Sequence, residues 1–204
     1  MRFIGDVHGK WTRYKTIIKG CDASIQVGDF GVGFRHPYSE IPMANPPYDA
    51  MIKGNHRFIR GNHDNPNACK TQKLYIADGT IEGNVMFIGG AFSIDRAFRI
   101  ENYTWWADEE LSNGDLNRMM DIYLEHKPEI MVTHECPDSI AMQVFPFMKG
   151  EYPSRTRQAF EGMWDMHKPK LWIYGHWHYS VDQEISGTRF ICLNELEYKD
   201  IDLN

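Results

Sequence analysis

Five short polar blocks carry the residues whose types and spacing are suited to chemistry. They are Gly5-Asp6-Val7-His8-Gly9, Gly28-Asp29-Phe30-Gly31, Gly61-Asn62-His63-Asp64, Thr133-His134 and Gly175-His176-Trp177-His178. Each block follows a short apolar run that is typical of a buried strand. Carboxylate oxygens, amide oxygens and imidazole nitrogens gathered on loops are ligands from which proteins build two-metal hydrolytic sites. The blocks therefore indicate a metal centre that acts on a phosphate ester.

The indication comes from the combination, because most blocks have an ordinary explanation when taken alone. Asp6 and His8 are two residues apart and face the same way on an extended segment, yet a carboxylate orienting a structural histidine is the commoner case. A lone histidine such as His134 is more often packed and hydrogen-bonded than bound to a metal. The paired imidazoles of His176 and His178 are a stronger indication. Five of the nine histidines fall in the blocks, which independent structural roles do not readily explain.

Strand, loop and helix units are predicted to position the blocks. Apolar runs predict strands at 2–5, 23–27, 58–60, 85–88, 129–133 and 170–174, and a hairpin at 181–185 and 188–193. Helical spacing predicts helices over 10–19, 108–126 and 154–167. Four prolines between 36 and 49 predict a surface excursion without regular structure. The pattern is that of an α/β fold with a mixed sheet, in which ligands collect at the carboxyl ends of strands.

Composition narrows the class of protein. A chain of 204 residues is expected to form one domain over 1–204. The net charge of −6 and the pI near 5.8 argue against a surface that captures nucleic acid by bulk electrostatics. The four cysteines lie far apart, which favours neither a zinc knuckle nor a redox pair. No run approaches the ~20 apolar residues of a membrane span, so we expect a cytoplasmic protein with no membrane partner. The oligomeric state stays open.

The donor types also limit the choice of metal. Nitrogen and oxygen ligands without thiolate favour Mn²⁺, Fe or Zn²⁺ over Mg²⁺ or Ca²⁺ held by oxygen alone.

The ordered set of blocks resembles the calcineurin-like metallophosphoesterase superfamily, and the resemblance spans residues 5 to 178. It implies an α/β/β/α four-layer sandwich, in which two mixed β-sheets lie between helices. It also implies a dinuclear centre at one edge of the sheets. By position, Asp6, His8 and His178 would hold one ion and Asn62, His134 and His176 the other, with Asp29 bridging both.

The resemblance also implies the reaction. His63 would be no ligand but the proton donor to the leaving oxygen, or a group that stabilises the transition state. Two divalent ions would activate water for attack on phosphorus; we expect Mn²⁺, with Fe, Zn²⁺ or Ni²⁺ as alternatives. Small phosphorylated molecules, either phosphomonoesters or small phosphodiesters such as nucleotides, are the expected substrates.

The second block departs from the protein Ser/Thr phosphatases of this superfamily. Those enzymes carry G-D-x-V-D-R-G, whereas Val32 and Gly33 stand here where their later Asp and Arg would be. The cation that contacts phosphate must therefore come from elsewhere. Candidates are Arg60, Arg96 and Arg155, with Arg99 and Arg157 near the latter two. The competing interpretation of Arg60 is a strand-end residue paired with an acid, and that of the other four is a solvated surface arginine.

Two other functions stay open at this point. A DNA or RNA nuclease would use the same site chemistry, although the acidic composition does not favour it. A scaffold that has lost catalysis would keep the fold, but such a scaffold has no need of His63 or of all seven ligands.

Overall fold

The computed structural model describes residues 1–34, 45–145 and 153–203. The strands found there are β1 (Arg2–Ile4), β2 (Ala23–Val27), β3 (Asn55–Ile59), β4 (Thr80–Glu82), β5 (Val85–Ile88), β6 (Ile130–Thr133), β7 (Leu171–Tyr174), β8 (Val181–Ile185), β9 (Thr188–Cys192) and β10 (Tyr198–Asp200). The helices are α1 (Trp11–Ile18), α2 (Tyr48–Lys53), α3 (Pro66–Lys70), α4 (Asn113–His126), α5 (Asp138–Val144) and α6 (Arg155–Met166), with a short 3₁₀ helix at Arg96–Phe98.

The strands form two mixed sheets. The first has the order β10-β1-β2-β3 and the second the order β4-β5-β6-β7-β9-β8. Strands β1, β2 and β3 run parallel, as do β5, β6, β7 and β9. The remaining strands, β10, β4 and β8, are antiparallel to their neighbours and lie at three of the four sheet edges, and β3 lies at the fourth. The parallel strands of each sheet therefore present their carboxyl ends along one edge.

The two sheets pack face to face because their strands are apolar on both sides. In β6, Ile130 and Val132 point into a core shared with Phe3 and Ile25 of the first sheet. Met131, between them, points the other way and packs against the helices over the second sheet. This alternation is the side-chain period of a strand, and a strand buried on both faces reads as a continuous apolar run.

Helices cover both outer faces. The apolar cluster outside the first sheet includes residues from α1, α2 and α3, and the cluster outside the second sheet includes residues from α4, α5 and α6. The predicted four-layer sandwich of two mixed sheets between helices is therefore confirmed. Within the described ranges, no helix combines the length and the apolar character needed to cross a membrane.

Several predicted boundaries differ from the structure. Helix α4 begins at Asn113 rather than at 108, because the Ser112 Oγ accepts the backbone N–H of Asp115 at 3.1 Å and caps the helix there. Helix α5 occupies a segment whose prolines gave no helical signal. Most of the predicted surface excursion lies outside the described residues, and its last residues already belong to α2, which begins at Tyr48.

Candidate metal centre

The five polar blocks meet at one edge of the sandwich. Three of them follow β1, β2 and β3 of the first sheet, and the other two follow β6 and β7 of the second. Since all five strands are parallel within their sheets, their carboxyl ends carry the loops to the same side. The structure thus brings together all seven side chains that were predicted as ligands: Asp6, His8, Asp29, Asn62, His134, His176 and His178.

Asp6, His8 and His178 form one group. The His178 Nε2 lies 3.0 Å from the Asp6 Oδ2, and the His8 Nε2 lies 3.8 Å from the same oxygen. The two Nε2 atoms are 3.0 Å apart. Asp6 is fully buried, and its Oδ1 accepts the backbone N–H of His176 at 3.1 Å, which leaves Oδ2 directed at the two imidazoles.

Asn62, His134 and His176 form a second group. The Asn62 Oδ1 lies 3.0 Å from the His134 Nε2 and 3.0 Å from the His176 Nδ1. The His134 Nδ1 donates to the backbone carbonyl of Val27 at 2.9 Å, so Nε2 is the ring nitrogen that faces the centre. Burial lowers the pKa of His134, but the charge of Asp29 more than offsets that and raises the pKa to about 9.

Asp29 lies between the two groups. Its Oδ2 is 3.8 Å from the His8 Nε2, and its Oδ1 is 3.3 Å from the His134 Nε2. Burial by itself would favour the neutral acid, but the neighbouring imidazoles of His63, His134 and His8 hold the pKa of Asp29 well below its usual range. Asp29 is therefore a buried carboxylate with one oxygen turned to each group.

These donors fit divalent cations. The Asp6 Oδ2 is buried, and its contact with the His178 Nε2 at 3.0 Å lacks the geometry of a hydrogen bond, so no described residue hydrogen-bonds to it. Burying such an atom is costly unless something pairs with it. Three sets of carboxylate and imidazole atoms, one ligand atom per residue, each lie within 4.8 Å of one another: Asp6 with His8 and His178, His8 with Asp29 and His63, and Asp6 with Asp29 and His134. All four cysteines lie in the described ranges, and none of them contributes an atom to these sets.

Four residues of the candidate centre have a strained backbone. His8, Asp29, His176 and His178 have φ angles of 46°, 54°, 68° and 52°. Residues with a Cβ rarely adopt this left-handed region, which costs about 1–3 kcal/mol per residue and is typical of functional sites. A Cβ on Gly61 would collide with Asp29 and His134, so only glycine allows the third block to approach the centre.

Asp64, the last residue of the third block, ties two of the loops together. Its Oδ1 accepts the N–H groups of Gly31 and Val32 at 2.6 and 2.8 Å, and its Oδ2 accepts those of Phe30 and Gly61 at 3.0 and 2.8 Å. The side chain is fully buried. It thereby holds the loop of Asp29 against the loop of Asn62.

His63 and Arg99 stand above the centre, where they line a cavity of about 380 Å³. The His63 ring stacks on Phe34, with ring centroids 5.3 Å apart, and its backbone N–H donates to the Asp29 Oδ1 at 2.7 Å. An Arg99 Nη2 contacts the His63 Nε2. Arginine can only donate, so this nitrogen accepts and the ring is neutral. Burial, with a contribution from Arg99, lowers the pKa of His63 to about 4 despite the charge of Asp29.

The three arginines that the sequence suggested as phosphate contacts lie elsewhere. Arg60 is 2% exposed; its Nε donates to the Asp78 Oδ2 at 3.0 Å, and its Nη1 donates to the carbonyl of Glu109 at 2.8 Å. Arg155 donates to the carbonyl of Leu111 at 2.7 Å and lines a different cavity together with Arg60. The Arg96 guanidinium lies over the Phe92 ring. Among the described residues, none of these three arginines lines the cavity above the centre, whereas Arg99 does.

Three buried polar residues around the centre were missed by sequence reasoning. Glu135 accepts the indole N–H of Trp177 at 2.8 Å, and its Oε2 lies 3.6 Å from the His176 Nε2; burial raises the pKa of Glu135 to about 7. Ser93 accepts a hydrogen bond from the Asn62 amide, and Glu109 accepts one from the Ser93 hydroxyl. Of these three residues, Glu135 could have been noticed in the sequence. It comes directly after His134 at the end of a buried strand, where a charged side chain needs a partner.

A family model for calcineurin-like phosphoesterases matches residues 2–180. The chain belongs to the calcineurin-like phosphoesterase family. The match extends from β1 to the last polar block and so covers every residue of the candidate centre. Membership agrees with a fold and a donor set suited to hydrolysis of phosphate esters. A search of curated proteins found no match.

Solved structures resemble this calcineurin-like phosphoesterase chain in fold. One is a candidate 5′-nucleotidase from Staphylococcus aureus in complex with α-ketoglutarate, which is 13% identical with a TM-score of 0.52. The alignment covers 96% of this chain but 48% of the other, so the chain spans about half the length of that protein. Another is GAP50, described as the anchor in the inner membrane complex of Plasmodium, with 12% identity, a TM-score of 0.41 and coverage of 95% and 71%.

Proposed function

We propose that the protein is a metal-dependent phosphoesterase that hydrolyses phosphomonoesters or small phosphodiesters, nucleotides among them. The observation that carries this proposal is the convergence of seven ligand side chains beneath a cavity lined by His63 and Arg99. A cavity of about 380 Å³ suits a small phosphorylated molecule. The net charge of −6 does not favour a polyanionic substrate such as nucleic acid.

The two groups of side chains suggest how two ions would be held. Asp6, His8 and His178 would bind one ion, Asn62, His134 and His176 the other, and Asp29 would face both with its separate oxygens. When bound, a pair of divalent ions neutralises phosphoryl charge and acidifies water. We propose Mn²⁺ as the native metal, because the donors are nitrogen and oxygen without thiolate.

Arg99 is proposed to take the place of the arginine that protein phosphatases carry in their second block. Its guanidinium is held by Asp95, whose two oxygens accept from the Arg99 Nε and Nη2 at 2.7 and 2.8 Å. A further Nη1–H donates to the carbonyl of Thr104 at 3.1 Å. These contacts fix the planar fork that suits phosphate oxygens. A phosphate entering the cavity would displace Arg99 from the His63 Nε2 and pair with the guanidinium.

His63 is proposed to assist departure of the leaving oxygen. Its stacking on Phe34 and its backbone contact with Asp29 hold the ring at the rim of the centre and not inside it. Once phosphate has taken the Arg99 donor, the His63 Nε2 is free to carry a proton, and the negative charge of the phosphate favours that protonated form. The imidazole then donates to the leaving oxygen.

The test is hydrolysis of p-nitrophenyl phosphate and bis-p-nitrophenyl phosphate by metal-stripped protein reconstituted with Mn²⁺. We expect turnover that follows Mn²⁺ loading and disappears after chelation. A His126→Ala variant, which alters an exposed histidine at the end of α4, should behave as wild type. A folded, Mn²⁺-loaded protein that cleaves neither ester would overturn the proposal and favour the scaffold; cleavage restricted to polynucleotides would favour the nuclease.

The cytoplasmic location stays a prediction from the sequence.

A further inference from the structure

We propose that Ser93 and Glu109 are positioning residues that select the one orientation of the Asn62 amide able to bind a cation. The proposal rests on the proposed function, because it concerns a ligand of the second ion. Neither residue lies in the polar blocks: Ser93 follows β5, and Glu109 precedes α4. Both are buried beside Asn62, with 1%, 3% and 2% of Ser93, Glu109 and Asn62 exposed.

Glu109 receives the hydroxyl proton of Ser93. The Ser93 backbone N–H donates to the Glu109 Oε1 at 2.9 Å, and the Ser93 Oγ donates to the Glu109 Oε2 at 2.5 Å. A carboxylate that receives two donors from one residue acts only as an acceptor. The single hydroxyl proton of Ser93 is therefore used on Glu109.

Ser93 in turn orients the side-chain amide of Asn62. With its proton on Glu109, the Ser93 Oγ can only accept from Asn62, whose Nδ2 lies 2.9 Å away. The nitrogen end of the Asn62 amide must point to Ser93, and the oxygen end points the other way. That direction is toward the His134 Nε2 and the His176 Nδ1, both 3.0 Å from the Asn62 Oδ1.

The alternative orientation would abolish the ligand. Oxygen and NH₂ have nearly the same size, so packing alone discriminates poorly between the two orientations of a buried amide. A flipped Asn62 would present N–H donors to the centre, which repel a cation, and would place its oxygen against the lone pairs of Ser93. The serine and the glutamate make that flip costly, because the amide oxygen would then face the Ser93 Oγ, which has no proton left to donate, in a buried site.

The buried side chain of Arg60 holds the segment that carries Glu109 in place. The Arg60 Nη1 donates to the backbone carbonyls of Asp108 and Glu109 at 3.2 and 2.8 Å. Arg60 stands two residues before Asn62, so the same loop that carries the ligand also anchors the segment that carries Glu109. This gives Arg60 a structural role in place of the phosphate contact predicted from its position.

The experiment compares Ser93→Ala and Glu109→Gln with a matched control elsewhere in the chain. The Ser139 N–H and Oγ donate to the two oxygens of Glu161, both at 2.8 Å, which repeats the same pairing at an exposed site without an asparagine. Ser139→Ala therefore controls for loss of a serine–glutamate pair. Each protein is stripped of metal and titrated calorimetrically with Mn²⁺, and the side-chain amide of Asn62 is followed by NMR in the metal-free form.

Wild type and Ser139→Ala should bind two Mn²⁺ ions with the same affinities. Ser93→Ala and Glu109→Gln should weaken one of the two ions by about 10- to 100-fold, the usual effect of losing a residue that orients a ligand, and should shift the Asn62 amide resonances. In an Asn62→Asp background, where either oxygen can face the ion, Ser93→Ala should weaken binding by far less.

The outcomes separate this inference from the proposed function. Failure of the wild-type protein to bind two Mn²⁺ ions would overturn the proposed function itself. Wild-type binding of two ions, combined with unchanged affinities in a folded Ser93→Ala variant, would overturn only the positioning role. A loss in Ser93→Ala that persists in full in the Asn62→Asp background would also overturn it, because it would reflect general damage and not amide orientation.

Discussion

Replacement of Asp64 by asparagine should destabilise the protein by about 2–6 kcal/mol. The magnitude follows from the hydrogen bonds of Asp64, whose two oxygens each accept two backbone N–H groups, from Gly31 and Val32 on one side and from Phe30 and Gly61 on the other. Asparagine replaces one oxygen by NH₂, which cannot accept. In either orientation two buried N–H groups lose their partner, and each such loss costs about 1–3 kcal/mol.

The assay is urea unfolding of metal-stripped proteins, so that ion binding does not add to the measured free energy. The matched control is Asp165→Asn, which makes the same chemical change on the exposed face of α6 and should stay within about 0.5 kcal/mol of wild type. Burial raises the pKa of Asp64. However, both of its oxygens already accept backbone N–H groups, so the O–H of a protonated Asp64 would have no acceptor to donate to. An Asp64→Asn protein destabilised by less than about 1 kcal/mol would refute the reasoning.

Two further predictions concern turnover. His63→Ala should retain two Mn²⁺ ions but lower kcat by about 10²- to 10⁴-fold, the range for loss of general acid–base assistance; loss of both ions would instead show that His63 is a ligand. Arg99→Ala should lower kcat/KM for p-nitrophenyl phosphate by about 10- to 100-fold, since a charge-assisted contact with phosphate is removed. Arg99→Lys should recover part of that loss, because the charge is kept without the planar fork. An Arg99→Ala protein with wild-type kcat/KM would exclude a contact between Arg99 and phosphate.

The candidate ligands could be chosen from the sequence because their signals are local. From Ile59 to Asn62, a strand end, a glycine that allows close approach and a candidate ligand lie within four residues. His176 and His178 share one short loop, and their left-handed backbone is part of that loop itself. Where the chain supplies both the donor and the backbone geometry within a few residues, the sequence indicates the ligand directly.

The boundaries of elements were less predictable where a cap or a long-range contact competes with periodicity. Helical spacing continues upstream of Asn113, but the Ser112 side chain caps the helix there. The preceding residue Glu109 is hydrogen-bonded to Ser93 and lies outside the helix. The apolar positions of α4 are also not equally buried: Tyr123 is fully buried, whereas Leu124 is 39% exposed. Periodicity identifies a helix, but neighbouring elements decide how much of it is covered.

The sequence by itself determined the class of chemistry, because carboxylate, amide and imidazole donors at the ends of apolar strands are readable in chain order. Tertiary structure decided which residues surround those donors. Arg60 is adjacent to the ligand block yet points to carbonyls 48 and 49 residues away, whereas Arg99 reaches His63 from 36 residues away. Ser93 and Glu109 have no local signal, since their role exists only when β5 and the segment before α4 meet Asn62. Contacts across such separations depend on how whole strands and helices pack, and no short pattern encodes that packing.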